Sequence, residues 1–181
     1  MINQYLPFLS EIVEVIKHTD IEYTFRMKYE KKDVKPGQFF EISIPKYGEA
    51  PISVSGIGEG TIDFTIRRVG KVTNEIFEKY VGEKLFIRGP YGNGFDVDLY
   101  KDKELVIVAG GTGVSPVRGV IEYFAEHINE VQSMKLITGF KSSEFILFKE
   151  DIPKWKEKME YILTVDSGEE TAEYKVGLVT K

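Results

Sequence analysis

Residues 104–116, ELVIVAGGTGVSP, limit most strongly what this chain can fold into: an apolar run, three glycines within four residues, then a serine and a proline. A continuous apolar run suits a strand covered on both faces of a parallel sheet. The segment that follows, 116–128, places Val117, Val120, Ile121, Phe124 and Ile128 at helical spacing. The glycines therefore stand between a strand and a helix, where open α/β sheets bind ligands. Gly110, Gly111 and Gly113 admit positive φ and the close approach of another group. Ser115 is placed to cap the helix, and Pro116 suits its first turn, where a missing N–H costs little. Unpaired N–H groups and the helix dipole would draw an anion, here a dinucleotide pyrophosphate. A tight turn that only packs the helix on its sheet would use the same glycines. Pro116 stands where the common dinucleotide fingerprint has its third glycine, and no acid follows about 20 residues on to hold a ribose. No Lys-Ser or Lys-Thr pair marks a P-loop. An ordinary Rossmann dehydrogenase and an ATPase both fit poorly.

Upstream the rhythm differs. Segments 7–17, 21–29, 38–44, 52–57, 61–68 and 84–89 are rich in Ile, Val, Phe, Tyr and Thr and are separated by turn formers such as VKPGQ and GIGEG. TIDFTIR alternates, with Ile62, Phe64 and Ile66 on one face and Thr61, Asp63, Thr65 and Arg67 on the other. Six such strands predict a small antiparallel barrel. One helix, near 73–81, interrupts them and turns Ile76, Phe77 and Tyr80 inward. Downstream, strands near 134–140, 160–165 and 176–180, with helical character up to about 158, predict a parallel α/β sheet. The boundary is expected near residue 100, giving domains 1–100 and 101–181.

The barrel half holds a second anion-ready stretch, RRVGKVTNEIF at 67–77. A strand ends at Gly70, Thr73 is placed to cap the helix, and Arg67, Arg68 and Lys71 stand nearby. A capped helix with basic surface residues would look the same. Two such helix starts, one per domain, suggest two nucleotides, and a barrel followed by a parallel sheet points to flavin and nicotinamide.

Composition narrows the alternatives. The 181 residues carry a net charge of −5 with Lys and Arg scattered, which disfavours nucleic acid and anionic membranes as partners. The N-terminal stretch lacks the apolar core of a signal peptide and no segment reaches transmembrane length, so a cytoplasmic location is expected. Cysteine is absent, which excludes disulfides, thiolate metal sites and cysteine-held iron–sulfur clusters within these residues. The two histidines, His18 and His127, fall in a turn and at a helix end, and no metal site is expected.

Four stretches in order resemble the ferredoxin–NADP reductase superfamily: APISVSG, in the place of that family's Arg-x-Tyr-Ser flavin motif; VGKVT, for its flavin pyrophosphate loop; GPYG, leaving the barrel; and GGTGVSP, for its nicotinamide pyrophosphate loop. Within it, GEAPISVS, RRVGKVT, RGPYGNGF and VAGGTGVSPVRG are most similar to the B subunits of anaerobic sulfite reductases. The resemblance implies an FAD-binding barrel followed by an NAD(P)H-binding α/β domain. It sets Pro51, Ile52 and Ser53 beside the flavin ring, Ser53 donating near its reactive edge, and Gly70, Lys71, Val72 and Thr73 at the flavin pyrophosphate. Gly110, Gly111, Thr112, Gly113 and Pro116 would hold the nicotinamide pyrophosphate.

Two departures stand out. Ala50 and Ile52 replace the family's arginine and stacking tyrosine, so Arg67 or Lys71 is expected to supply the charge. The family continues past this chain's last residue into a segment that completes the nicotinamide pocket and holds a 2Fe-2S cluster, so the chain reads as a truncated form, with the cluster expected only in a longer one.

The expected activity is hydride transfer from NAD(P)H to FAD, with electrons passed to other redox subunits of a multi-subunit reductase. NADH is expected over NADPH, because GFKSSEF and VDSGEE hold one lysine and four acids but no arginine. There, Lys141 and Asp166 are candidates for the adenosine phosphate and a ribose hydroxyl. Alternatives are the electron-transfer subunit of a dihydroorotate dehydrogenase or hydrogenase complex, a flavin-binding module without nicotinamide activity, and a structural scaffold without cofactor.

Overall fold

The computed structural model describes residues 5–31, 33–80 and 82–180. The chain divides into two units, Met1–Phe95 and Asp96–Lys181.

In the first unit, β1 (Phe8–Lys17), β2 (Glu22–Lys28), β3 (Phe39–Ile44), β4 (Gly48–Gly58), β5 (Thr61–Arg67) and β6 (Lys84–Tyr91) close into an antiparallel barrel in the order β1-β2-β5-β4-β3-β6. The alternation of TIDFTIR appears as register: Phe64 faces Phe25, and Ile66, Ile62 and Phe64 are at most 1% exposed. They meet Phe40, Ile42, Val54, Leu85 and Ile87 in one core. Rings there pack edge to face, Phe40 against Tyr29 and Phe64 at centroid distances of 5.3 and 5.5 Å.

The helix α1 (Lys71–Lys79) sets Ile76 into that core with Phe77 and Tyr80 against its margin, as the spacing predicts. It begins two residues before the expected start. Val81, the expected end, lies outside the described residues.

The outward side of the barrel is not simply solvated. Thr24, Thr65 and Ser55, on β2, β5 and β4, are all buried. Thr65 Oγ1 donates to Ser55 Oγ at 2.8 Å and lies 2.7 Å from Thr24 Oγ1, which in turn lies 2.7 Å from His18 Nε2. The neighbouring Asp63 takes two hydrogen bonds from Arg26, at 2.8 and 3.0 Å. Each polar group thus recovers by pairing what it loses in hydration.

The second unit is a four-stranded parallel sheet in the order β10-β9-β8-β7, from β7 (Glu104–Gly110), β8 (Ser133–Phe140), β9 (Glu160–Val165) and β10 (Lys175–Val176). The last strand is shorter than the expected 176–180. Helices α2 (Val114–Glu126) and α3 (Ile152–Lys158) connect the strands. They brace each other: Glu122 accepts from Trp155 Nε1 and Lys154 Nζ, both at 2.7 Å. Burial works to raise the Glu122 pKa, but these two hydrogen bonds together with the charges of Arg118 and Lys154 outweigh it and leave the carboxyl below its ordinary value. The brace is therefore present above the usual carboxylate range and is lost as pH falls through the lowered value.

One expectation is corrected here. The apolar run of β7 reads as a strand covered on both faces, yet Val106 is 59% and Val108 52% exposed while Ile107 and Ala109 are buried. The cause is topological. Successive strands β7, β8 and β9 step in one direction, and right-handed crossovers then place both helices on the same face. The other face keeps an apolar row, Val108–Ile137–Ile162, aligned across three strands, with Val108 exposed and the two isoleucines half-buried. At its carboxyl end a Cβ on Gly139 would stand 2.6 Å from Val179 Cβ, so that position requires glycine.

Candidate functional site

Each unit carries one glycine-bearing helix start. In the second unit β7 ends at Gly110, a 3-10 turn spans Gly111–Gly113, and α2 begins at Val114 with Gly113 as its N-cap. Of the three glycines only Gly111 takes a positive φ, +52°, whereas Gly110 and Gly113 have φ of −126° and −64°. The expectation that all three exploit left-handed backbone narrows to one residue. A Cβ on Gly111 or Gly113 would meet nothing within 4 Å, so the loop is open to an approaching group. Thr112 is half-buried between them. Pro116 lies in the first turn as expected, and its missing N–H is one of the four that have no intrahelical partner.

Ser115 does not cap the helix. It lies inside the first turn, 3% exposed, and its hydroxyl is the only buried side-chain polar atom without a hydrogen-bond partner among the described residues. An unpaired buried hydroxyl costs stability, and alanine is the better helix former. Ser115→Ala is thus expected to be neutral or stabilising, by up to about 1 kcal/mol in urea unfolding. A loss of that size would show that the hydroxyl is bonded in solution.

Lys141 and Asp166 follow the carboxyl ends of β8 and β9, and both are exposed. Their turns are tied together, Asp166 N donating to Phe140 O at 2.9 Å and Ser167 Oγ to Lys141 O at 3.2 Å. The Lys141 ammonium stands 5.8 Å from the Phe145 ring centroid.

In the first unit Gly70 is the N-cap of α1, with extended backbone and open space where a Cβ would be. Thr73 does not cap from the N-cap position. It sits one turn in, and its hydroxyl reaches back, accepting from Gly70 N at 2.9 Å and Val69 N at 3.0 Å. Those two donors are thereby occupied, which leaves the N–H groups of Lys71 and Val72 at the helix start.

The basic residues separate by partner. Arg67 faces Glu22 across the β2–β5 register, 3.7 Å from its buried carboxylate. Arg68 pairs with Glu78 at 2.6 Å. Lys71 is exposed and has no carboxylate partner among the described residues; its ammonium stands 5.5 Å from the centroid of the Tyr47 ring. Neither Tyr47 nor its contact with α1 has a local sequence signal.

On β4, Pro51 is exposed and Ile52 and Ser53 are half-buried. Strand alternation sets Pro51 and Ser53 on one face and Ile52 on the other, where Ile52 packs against the barrel core. The structure thus brings Pro51 and Ser53 together and turns Ile52 away from them. The Ser53 hydroxyl has no partner among the described residues and is available as a donor.

The site geometry can be set against known proteins. Residues 107–181 match the family model described as oxidoreductase NAD-binding domain. The chain is 38% identical over 157 residues to sulfhydrogenase 2 subunit gamma of Pyrococcus furiosus, covering 83% of this chain and 54% of that protein. It is 31% identical over 159 residues to a probable dihydroorotate dehydrogenase B (NAD(+)) electron transfer subunit of Thermoplasma volcanium, covering 88% of this chain and 57% of the relative. The chain therefore spans little more than half the length of these relatives. Among solved structures, a ferredoxin NADP+ reductase from Neisseria gonorrhoeae with bound FAD and NADP superposes with a TM-score of 0.78 at 17% identity, covering 93% of this chain and 72% of that one. An NADH-dependent reduced ferredoxin-NADP oxidoreductase gives 0.79 at 23% identity, covering 96% and 61%.

The expectation of an anaerobic sulfite reductase subunit gains no support from these relatives, which favour the hydrogenase and dihydroorotate dehydrogenase alternatives instead. Open glycine loops at two helix starts, a free lysine beside one of them and an unpartnered serine on β4 are residues that fit phosphate groups and a flavin ring edge. The chain has the ferredoxin–NADP reductase-like fold, an antiparallel barrel followed by a parallel sheet, and residues 107–181 of its second unit match the oxidoreductase NAD-binding domain model.

Proposed function

We propose that the chain is the FAD- and nicotinamide-binding part of an NAD(P)H-dependent electron-transfer subunit, of the kind that serves hydrogenase or dihydroorotate dehydrogenase complexes. The observation that carries this reading is the pairing of one open, glycine-bearing helix start on the barrel with another on the parallel sheet. When bound, a flavin supplies the hydride-accepting and electron-splitting chemistry. The chain's own residues bind and orient. Lys71 and the α1 N–H groups would hold the flavin phosphates, and Ser53 would donate to the ring edge. Gly110, Gly111, Thr112 and Gly113 would admit the nicotinamide pyrophosphate to the start of α2. No acid–base residue is assigned, since alignment of two rings and exclusion of water suffice. The partners are redox subunits of the same complex, and these residues, which contain no cysteine, hold no cysteine-ligated iron–sulfur cluster themselves.

Denaturing the purified, flavin-loaded chain and identifying the released cofactor tests the barrel half. FAD is the expected result; FMN alone, or failure to take up either flavin, would overturn it. For the sheet half, NADH is expected to bind more tightly than NADPH. Lys141 is the one cation in the two turns after β8 and β9, while Glu144, Asp166, Glu169 and Glu170 lie in the same two segments. Tighter NADPH binding in a direct titration would contradict this.

A further inference from the structure

We propose that the outer face of the barrel where β1, β6 and β3 run side by side is a contact surface for a second copy of this chain, the two copies related by a two-fold axis. Register, shape and charge point to it in turn.

Leu9 on β1 stands opposite Phe86 on β6, and Phe86 opposite Ser43 on β3. The residues that alternate with this row, Leu85, Ile87, Ile42 and Ile44, are at most 2% exposed in the core, so the row itself points outward. Among the described residues the first unit exposes six large hydrophobics, and four of them, Tyr5, Leu6, Leu9 and Val13, fall on β1 and the stretch that leads into it. Scattered exposed apolar residues need no explanation, whereas a group of them rimmed by charge marks a contact surface.

The surface has a groove with a ridge beside it. Two adjoining depressions share Ser43, Ile44, Pro45 and Phe86; one runs on to Tyr80 and Lys84, the other to Pro7 and Gly48. The lead-in to β1 forms the ridge. Tyr5 anchors it by stacking on Tyr91 at a centroid distance of 6.2 Å, and Leu6 stands 64% exposed next to Pro7 at the edge of the groove. A two-fold axis passing between ridge and groove sets Leu6 and Leu9 of each copy toward Pro45 and Phe86 of the other, and both grooves fill at once.

Charge on the rim selects the occupant. Lys79, Glu49 and Glu11 are each paired within their own chain, with Glu75, Arg88 and Lys28. That leaves Lys46, Lys84 and Glu83, which are exposed and form no ion pair among the described residues. A partner of one sign would face a like charge somewhere on this rim, whereas a second copy offers a carboxylate for a lysine in both directions. The groove and its rim engage about a dozen residues per copy, against roughly 20–30 in a standard interface, so the dimer is expected to be reversible, with a Kd of about 10 μM.

Sedimentation velocity of the full chain between about 1 and 200 μM tests this, with far-UV circular dichroism to confirm that each variant is folded. The parent chain is expected to pass from monomer to dimer over that range. Leu9→Glu is expected to raise Kd by at least about tenfold, and Leu6→Asp, outside any strand, does the same should Leu9→Glu fail to fold. Glu83→Lys makes the uncommitted rim charges all positive and is expected to weaken the dimer about threefold at low salt, and less at high salt. Val106→Glu, on the exposed face of the parallel sheet, should leave the dimer unchanged. A parent chain that stays monomeric throughout would overturn the proposal, and so would a dimer that survives both Leu9→Glu and Leu6→Asp or is lost in Val106→Glu.

Discussion

Phe40→Ala will destabilise the barrel by about 3–5 kcal/mol in urea unfolding, which is a large part of the total stability expected for a domain. Phe40 is fully buried, and its ring packs edge to face on Tyr29 and on Phe64. Gly89 has no Cβ where the ring passes; one placed there would lie 2.8 Å from Phe40 Cδ1. The cavity left by alanine is therefore bounded by two rings and a stretch of backbone. Rings anchored just past β2 and on its neighbour β5 cannot collapse into it without shifting those paired strands, so the cavity cost is added to the lost transfer energy. Phe40→Leu, which keeps most of the volume, should cost less than half as much. A loss below about 1 kcal/mol for Phe40→Ala would show that the core is looser than its packing indicates.

Gly111→Val will weaken nicotinamide binding by about a hundredfold, or close to 3 kcal/mol. Two effects combine. The φ of +52° is strained for a β-branched residue, costing roughly 1–3 kcal/mol of local order in the loop. The new side chain also fills the open space through which a pyrophosphate would reach the α2 N–H groups. Gly111→Asn separates the two, because asparagine tolerates the left-handed region. If steric filling dominates, both variants lose binding; if backbone strain dominates, Gly111→Asn stays within about threefold of the parent chain. Unchanged NADH binding in Gly111→Val would remove the loop from the site altogether.

How much of this was legible in the sequence differs from feature to feature. The alternation of TIDFTIR and the helical spacing after Gly113 are local and periodic, and both appear in the structure with little change. The glycine loop was equally plain as a loop, but which glycine needs positive φ depends on how the strand enters the turn, and only Gly111 does. Ser115 looked like a cap because serine before a proline-opened helix usually is one. Here the 3-10 turn at Gly111–Gly113 starts the helix earlier and carries Ser115 inside it.

Long-range features left no local trace. Arg67 and Glu22 meet through a β2–β5 register that spans most of the barrel sequence, and Tyr47 meets Lys71 through the packing of α1 on the β3–β4 turn. The bare face of β7 could not be read from ELVIVAGG either, because composition does not say on which side the crossovers pass.

The central claim, that one chain binds FAD on its barrel and a nicotinamide on its sheet for hydride transfer, is tested most directly by a visible spectrum. The full chain, loaded with FAD and freed of excess, would be titrated with NADH in the absence of oxygen. The account predicts a retained flavin band that bleaches as NADH is added, faster than with NADPH. A chain that holds no flavin, or one whose flavin band stays unbleached with saturating NADH and NADPH alike, would contradict it.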